Sequence, residues 1–277
     1  MRICLSNIER YLYLFQDGNT DFGNPSWAEP VFAAMLRAYQ NDEELVVDIG
    51  NEYIRKMILD QYTPQRTYSP IENIITRNNL DEIATHTTSV MMQNFEQLGL
   101  EDQKDLNDYL HYLFIELMNN IVDHSHSEVG GYTMAQYFVT KEKIQYVVAD
   151  RGIGILANMQ LNYHDVQTEE EAIMMALEKG ITSTRATMYG AERNAGMGLY
   201  GISKILEMTG GKFIIISNDT IVKYANGRFS SLGLEYPWKG VVVAFEFDEA
   251  KINHNMDYFN RMYLWNGSSE EDDEDFY

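Results

Sequence analysis

Between residues 103 and 126 the apolar side chains Leu106, Leu110, Leu113, Leu117 and Ile121 fall three or four positions apart. Phe114 and Val122 widen the stripe, and this spacing predicts a long amphipathic helix against a core. Residues 81–98 carry a second helical pattern, and shorter ones cover 169–178 and 199–208. Apolar runs at 132–139 and 144–149, divided by the polar stretch 140–143, predict a hairpin of strands; runs at 213–217 and 241–247 predict two more. The order helix, strand, strand, helix, helix, strand, strand predicts an α+β sandwich, with helices on one face of a largely antiparallel mixed sheet.

Ahead of this block the pattern is shorter in range. Apolar stretches occur at 11–15, at 31–39 with helical spacing, and at 45–49 as a strand candidate, and 52–59 predicts the start of another helix. The alternation predicts a small α/β domain over residues 1–75, ahead of a main domain over 80–250. Two prolines with Thr, Ser and Gln make 61–70 the best linker candidate. No internal repeat is visible. The segment Trp27-Ala-Glu-Pro-Val-Phe-Ala-Ala-Met-Leu, followed by Leu45-Val-Val-Asp-Ile, resembles STAS-type regulatory domains, without a residue that carries chemistry.

A hydrophobic content of 45% is ample for a buried core in 277 residues. Cys4 is the single cysteine, which fits a reducing compartment. No apolar run approaches the length of a membrane span or a signal peptide, so a soluble, cytoplasmic protein is expected. Net charge is −21, with six acids and no base between Glu270 and Asp275. That balance repels phosphate backbones and argues against general nucleic-acid binding. The acidic end of the 251–277 tail reads as a solvated, disordered terminus.

Three segments concentrate the candidate chemistry. Glu116, Asn120 and His124 recur every fourth residue and share a helix face, with Asp123 beside them. That face borders the apolar stripe, at a core margin. An amide oxygen at Asn120 with phosphate oxygens suffices for magnesium, and Glu116 one turn away suits the activation of a water. Polar residues at this spacing also occur on any solvated helix face. Asp150 ends an apolar strand and precedes Gly152 and Gly154; a buried acid there suits an exocyclic amine, and glycines let a ring lie against the backbone. An ordinary strand-ending turn has the same composition. Gly196, Gly198 and Gly201 open a helix whose unpaired N–H groups suit phosphate. Their spacing also fits a dinucleotide-binding loop, with Asp219 downstream, but the polar stretch 184–195 stands where that motif needs a buried strand.

Taken together, Glu-x-x-x-Asn-x-x-x-His, Asp-x-Gly-x-Gly and Gly-x-Gly-Leu-x-Gly resemble, in order, the boxes of the GHKL ATPases. These include gyrase, Hsp90-type chaperones, histidine kinases, MutL and the bacterial anti-sigma serine kinases. The resemblance covers about residues 80–250. It extends to Ala172-Ile-x-x-Ala-x-x-x-Gly-Ile-Thr-Ser-Thr in a lid-like stretch at 155–195, and to Gly210-Gly-Lys-Phe-Ile-Ile-Ile-Ser and Gly240-Val-Val-Val-Ala-Phe-Glu-Phe. It implies a Bergerat-type α/β sandwich that binds ATP and Mg2+. Glu116 would be the general base, Asn120 the magnesium ligand and Asp150 the adenine reader. Gly152 and Gly154 would shape the adenine pocket, Gly196, Gly198 and Gly201 would hold phosphates, and Asp123 and His124 would border them. Lys179, Thr182, Ser183, Thr184 and Arg193 are lid candidates for phosphate contact. The family often has Thr after the glycine of its final strand; Val241 stands there, so Ser217 or a water would have to replace that contact.

Among relatives, histidine kinases carry a phosphoacceptor histidine upstream. His86, in Ala-Thr-His-Thr-Thr, lacks the acid that usually follows it and reads as a solvent-facing helical histidine. Gyrase, MutL and Hsp90 relatives continue into a second domain, for which the stretch after Ala250 is too short. The expected function is an Mg-ATP-dependent ATPase switch, whose lid closure controls engagement of a regulatory or substrate protein. The alternative is a serine/threonine kinase of the anti-sigma type, with an ATP-binding pseudo-enzyme behind it. A homodimer is compatible with either.

Overall fold

The computed structural model describes residues 1–59, 67–93, 95, 98–178, 181, 198–248 and 251. A five-stranded antiparallel sheet runs in the order β3 (Glu72–Ile74), β4 (Gly131–Phe138), β5 (Lys143–Asp150), β7 (Arg228–Asp248), β6 (Lys212–Ala225). All four pairings are antiparallel, so the parallel component expected of a mixed sheet is not present among the described residues. Helices α3 (Leu80–Met92), α4 (Leu100–His124) and α7 (Gly198–Thr209) cover one face. Between β5 and α7 lie the short helices α5 (Ile155–Met159) and α6 (Glu169–Ala176). A capping box sets the start of α6: Thr168 Oγ1 accepts from the Glu171 N–H, and the Glu171 carboxylate accepts from the Thr168 N–H.

The opposite face is covered too, by the N-terminal region. There β1 (Arg2–Ile3) pairs in parallel with β2 (Trp27–Ala28), and α1 (Pro30–Asp42) lies along β4 and β5, followed by α2 (Glu52–Leu59). Pro30 opens α1 at a position that has no partner for an N–H. Nearly every residue from Pro30 to Tyr39 is buried, as a helix wedged between a sheet and its own overlying chain requires. Alternate side chains of the strands feed two separate cores. Ile144, Tyr146 and Val148 face α3 and α4, while Val147 and Ala149 face α1; Phe213 and Ile215 divide from Ile214 and Ile216 in the same way.

Several expected elements shift. Residues 45–49 form no strand; only an isolated bridge joins Asp48 to Asp21. Of the expected linker, residues 67–69 bond to the free edge of β4, through Tyr137 N–H to Thr67 O (2.7 Å) and Ser69 N–H to Ala135 O (2.9 Å). The junction near residue 75 therefore lies within the sheet, beside edge strand β3. The strands predicted at 213–217 and 241–247 are inner parts of a much longer hairpin, whose outer half, Thr220–Gly233, pairs only with itself. His86 is half-buried on α3 with Nδ1 3.0 Å from Glu72 Oε1, instead of facing solvent.

Candidate functional site

A cleft of about 840 Å³, open mouth included, lies between α4, the end of β5, α5 and the start of α7. Leu117 and Ile121 of α4, Ile155 and Met159 of α5, Leu199 of α7 and the strand residues Val148, Val241 and Val243 supply its apolar lining. Asn120, His124, Ser125, Asp150 and Asn158 supply the polar groups. The lining is that of a small-molecule site with few placed polar groups.

Asp150 is the last residue of β5 and 4% exposed. Its Oδ1 accepts from the Gly152 N–H (2.8 Å) and the Val241 N–H (3.3 Å). Burial pushes its pKa up to about 7, against the pull of those two N–H groups. Among the described residues no donor is paired with Oδ2. On α4, Asn120 is exposed at the cleft and His124 is half-buried in its lining, where desolvation holds the imidazole below its ordinary value. Glu116 stands one turn before Asn120. Partial burial pushes its carboxyl up to about 7, opposed by a hydrogen bond from Asn119 and the charge of Arg77. A Cβ built on Gly198 would lie 3.2 Å from the Glu116 Cβ and 3.7 Å from Asn120 Nδ2, so α7 opens against both residues. Four residues before Glu116, the buried Tyr112 hydroxyl has no hydrogen-bond partner among the described residues.

The glycines divide by role. Gly154 lines the cleft at φ +87°, a conformation that favours glycine, and a side chain there would run into the Asn218 amide. Gly152 leaves no room for a side chain, because a Cβ built on it would fall onto the Ser125 carbonyl, which also accepts from the Ile153 N–H (2.9 Å). Gly201 faces Leu113 and Tyr109 of α4, at 3.1 and 3.2 Å from an added Cβ, and serves close helix packing there. Asp123 points to Arg77, which binds both its carboxylate oxygens (2.7 and 2.5 Å). Lys179, Thr182, Ser183, Thr184, Arg193 and Gly196 lie outside the described residues, as do nearly all of the lid-like stretch after Glu178 and all of the tail after Lys251.

Ser217 lies on β6, paired with Val241 of β7. It is fully buried, and its Oγ accepts from the Ile155 N–H (2.8 Å) at the start of α5. Glu169 Oε2 accepts from the next N–H, Leu156 (3.2 Å), while Asn218 donates to Glu169 Oε1 (2.6 Å) and to the Ile153 carbonyl (3.1 Å). The N-terminus of α5 is thereby satisfied by side chains. Asn158 and Met159 escape sequence reasoning because α5 is too short for a periodic signal. Arg151, read only as a spacer between Asp150 and Gly152, is buried, and that position could have been flagged by a charged residue following so apolar a strand. No family model matches the chain, and no curated protein matches it.

Proposed function

We propose that this chain binds Mg-ATP in the cleft and acts as a nucleotide-gated ATPase switch of the GHKL type, built on a Bergerat-type sandwich. One observation carries the reading: Asp150 is a buried carboxylate in an apolar cleft, with Oδ1 fixed by two backbone N–H groups and Oδ2 left for a donor. Such a group suits the exocyclic amine of adenine, held between Val148, Val241 and Met159. Val241 in place of threonine makes the base contact more apolar, so discrimination rests on Asp150.

The opposite end of the cleft suits phosphates. Gly198 begins a 12-residue helix at the cleft lining, and the free N–H groups of a helix start favour anions. Among the described residues no group of three or more His, Cys, Asp or Glu side chains is arranged to hold a metal alone. Asn120 would contribute one oxygen to magnesium, with phosphate oxygens completing the site; the ion would neutralise phosphate charge. Glu116, with a pKa near neutrality, would take the proton of the attacking water at its carboxylate. Ile181 and Gly198, the described residues on either side of the lid-like stretch, both line the cleft. Nucleotide-dependent rearrangement of that stretch would form the surface that a regulatory or substrate protein engages.

Phosphate release from Mg-ATP by the wild type and by Glu116→Gln tests the reading. Loss of a general base predicts a drop of about 10²–10⁴-fold in the variant, with ATP affinity retained. Equal turnover in both proteins would remove Glu116 from its role. Phosphate transferred to a partner hydroxyl, without release, would make the chain a kinase.

A further inference from the structure

Asp150 ends β5 and Arg151 follows it directly, yet the two side chains leave opposite faces of the sheet. Asp150 faces the cleft. Arg151 enters the N-terminal core, 5% exposed, and its guanidinium binds two carboxylates: Nε donates to Asp42 Oδ2 (3.1 Å) and Nη2 to Glu43 Oε1 (2.9 Å). Asp42 is the last residue of α1, and Glu43 follows it. The same guanidinium lies 4.8 Å from the ring centre of Trp238 and 5.3 Å from that of Tyr39. Trp238 closes the loop by donating from Nε1 to the Asp150 carbonyl (3.0 Å). Two residues on, Gly240 at φ +98° brings β7 so near that an added Cβ would fall 2.5 Å from both the Asp150 carbonyl oxygen and the Gly152 nitrogen.

We infer that Arg151 is a positioning residue for the Asp150 carboxylate: it ties the Asp150–Gly152 turn and Trp238 to the C-terminal end of α1, so the N-terminal region sets base affinity. The inference rests on the proposed function, in which Asp150 reads the base. The physical reason is that the groups orienting Asp150 are the backbone N–H groups of Gly152 and Val241, and the charged clamp lies next to the turn that carries Gly152 and against Trp238, three residues before Val241. A planar guanidinium is needed, because one side chain must reach two carboxylates and lie against two rings. The clamp also tolerates testing. Without Arg151, Asp42 keeps Lys239 (2.9 Å) and Glu43 is part-exposed, so no buried charge is left alone.

The test compares Arg151→Met, Arg151→Lys and the pair Asp42→Asn with Glu43→Gln in the full chain. Dissociation constants for Mg-ATP and Mg-GTP are taken by titration, since a constant is indifferent to how much protein is folded. Arg151→Met should weaken ATP binding about tenfold, the loss typical when a group holding a ligand residue from behind is removed, and should narrow the ATP-over-GTP preference. Arg151→Lys should recover part of both. The carboxylate pair should mimic Arg151→Met, and combining them should add little. Wild-type affinity and preference in Arg151→Met would overturn the inference. Amide exchange of the Gly152 and Val241 N–H groups without nucleotide gives an independent reading, faster in Arg151→Met if the clamp orients Asp150 and unchanged if it does not. Faster exchange in a protein whose wild type binds no ATP would refute the proposed function and leave the clamp standing.

Discussion

Asp150 and Glu116 are both carboxylates pushed up to about 7 by burial, and each gives a pH dependence with its own readout. In the unfolded chain Asp150 ionises near 4. Between about pH 4 and pH 7 the folded protein therefore holds a proton that the unfolded chain has released, and stability falls as pH rises through that window. Asp150→Asn removes the buried charge while its Oδ1 can still accept from Gly152 and Val241. The variant is expected to be more stable than wild type by roughly 1–2 kcal/mol at pH 8, the range of a relieved functional-site strain, with the gain vanishing near pH 4. Denaturant unfolding at both pH values checks this. As the proposed general base, Glu116 would act only when ionised, so turnover should climb as pH rises through about 7 and level off above it, a profile read from initial rates between pH 5.5 and 9.

At the scale of elements, the two glycines that lie away from the cleft make opposite predictions. Gly152→Ala drives a methyl group into the Ser125 backbone, which cannot yield without moving the end of α4, and should cost about 3 kcal/mol or more. Gly201→Ala meets Leu113 and Tyr109 side-chain tips at 3.1 and 3.2 Å, which can give, and a helix-interior alanine is intrinsically favoured over glycine. Its change should stay within about 1 kcal/mol, with ATP affinity unchanged. Thermal unfolding of both variants separates these outcomes, and a large affinity loss in Gly201→Ala would return that residue to the phosphates. The long helix was legible because its Leu106–Ile121 stripe repeats through a whole core face. The β6–β7 hairpin was legible only where both faces are buried, since exposed Phe229, Leu232 and Tyr236 break the pattern beyond the sheet. Residues 45–49 look like a strand by composition, but Val46 is 91% exposed and among the described residues no strand lies beside it to pair with along its length. Of the site, Asp150, Asn120, His124 and Gly198 were readable from spacing. For Gly152 and Gly201 the sequence shows a glycine but not which neighbour, Ser125 in one case and Leu113 and Tyr109 in the other, demands the missing side chain.

For the molecule as a whole, the sheet is buried on both faces, and the runs Ile214-Ile215-Ile216 and Val241–Phe245 already carried that information: a one-sided sheet alternates. What the runs left open was which segment supplies the second cover. Because α1 and its neighbours share one core with Tyr132, Met134, Val147, Ala149, Ile214, Ile216, Val242 and Ala244, removal of residues 1–66 would expose that entire face. The truncated chain is expected to be insoluble or to lack a cooperative unfolding transition; a soluble product with the wild-type transition would make the N-terminal region a dispensable appendage.

The central claim is that the cleft takes an adenine nucleotide through Asp150. Titration of Mg-ATP into the wild type and into Asp150→Asn tests it most directly. Saturable one-site binding is expected of the wild type, within about 1 μM to 1 mM as nucleotide-using proteins show, and none of the variant although it folds at least as well. Absence of binding by the wild type at millimolar ATP, or equal binding by both proteins, would contradict it.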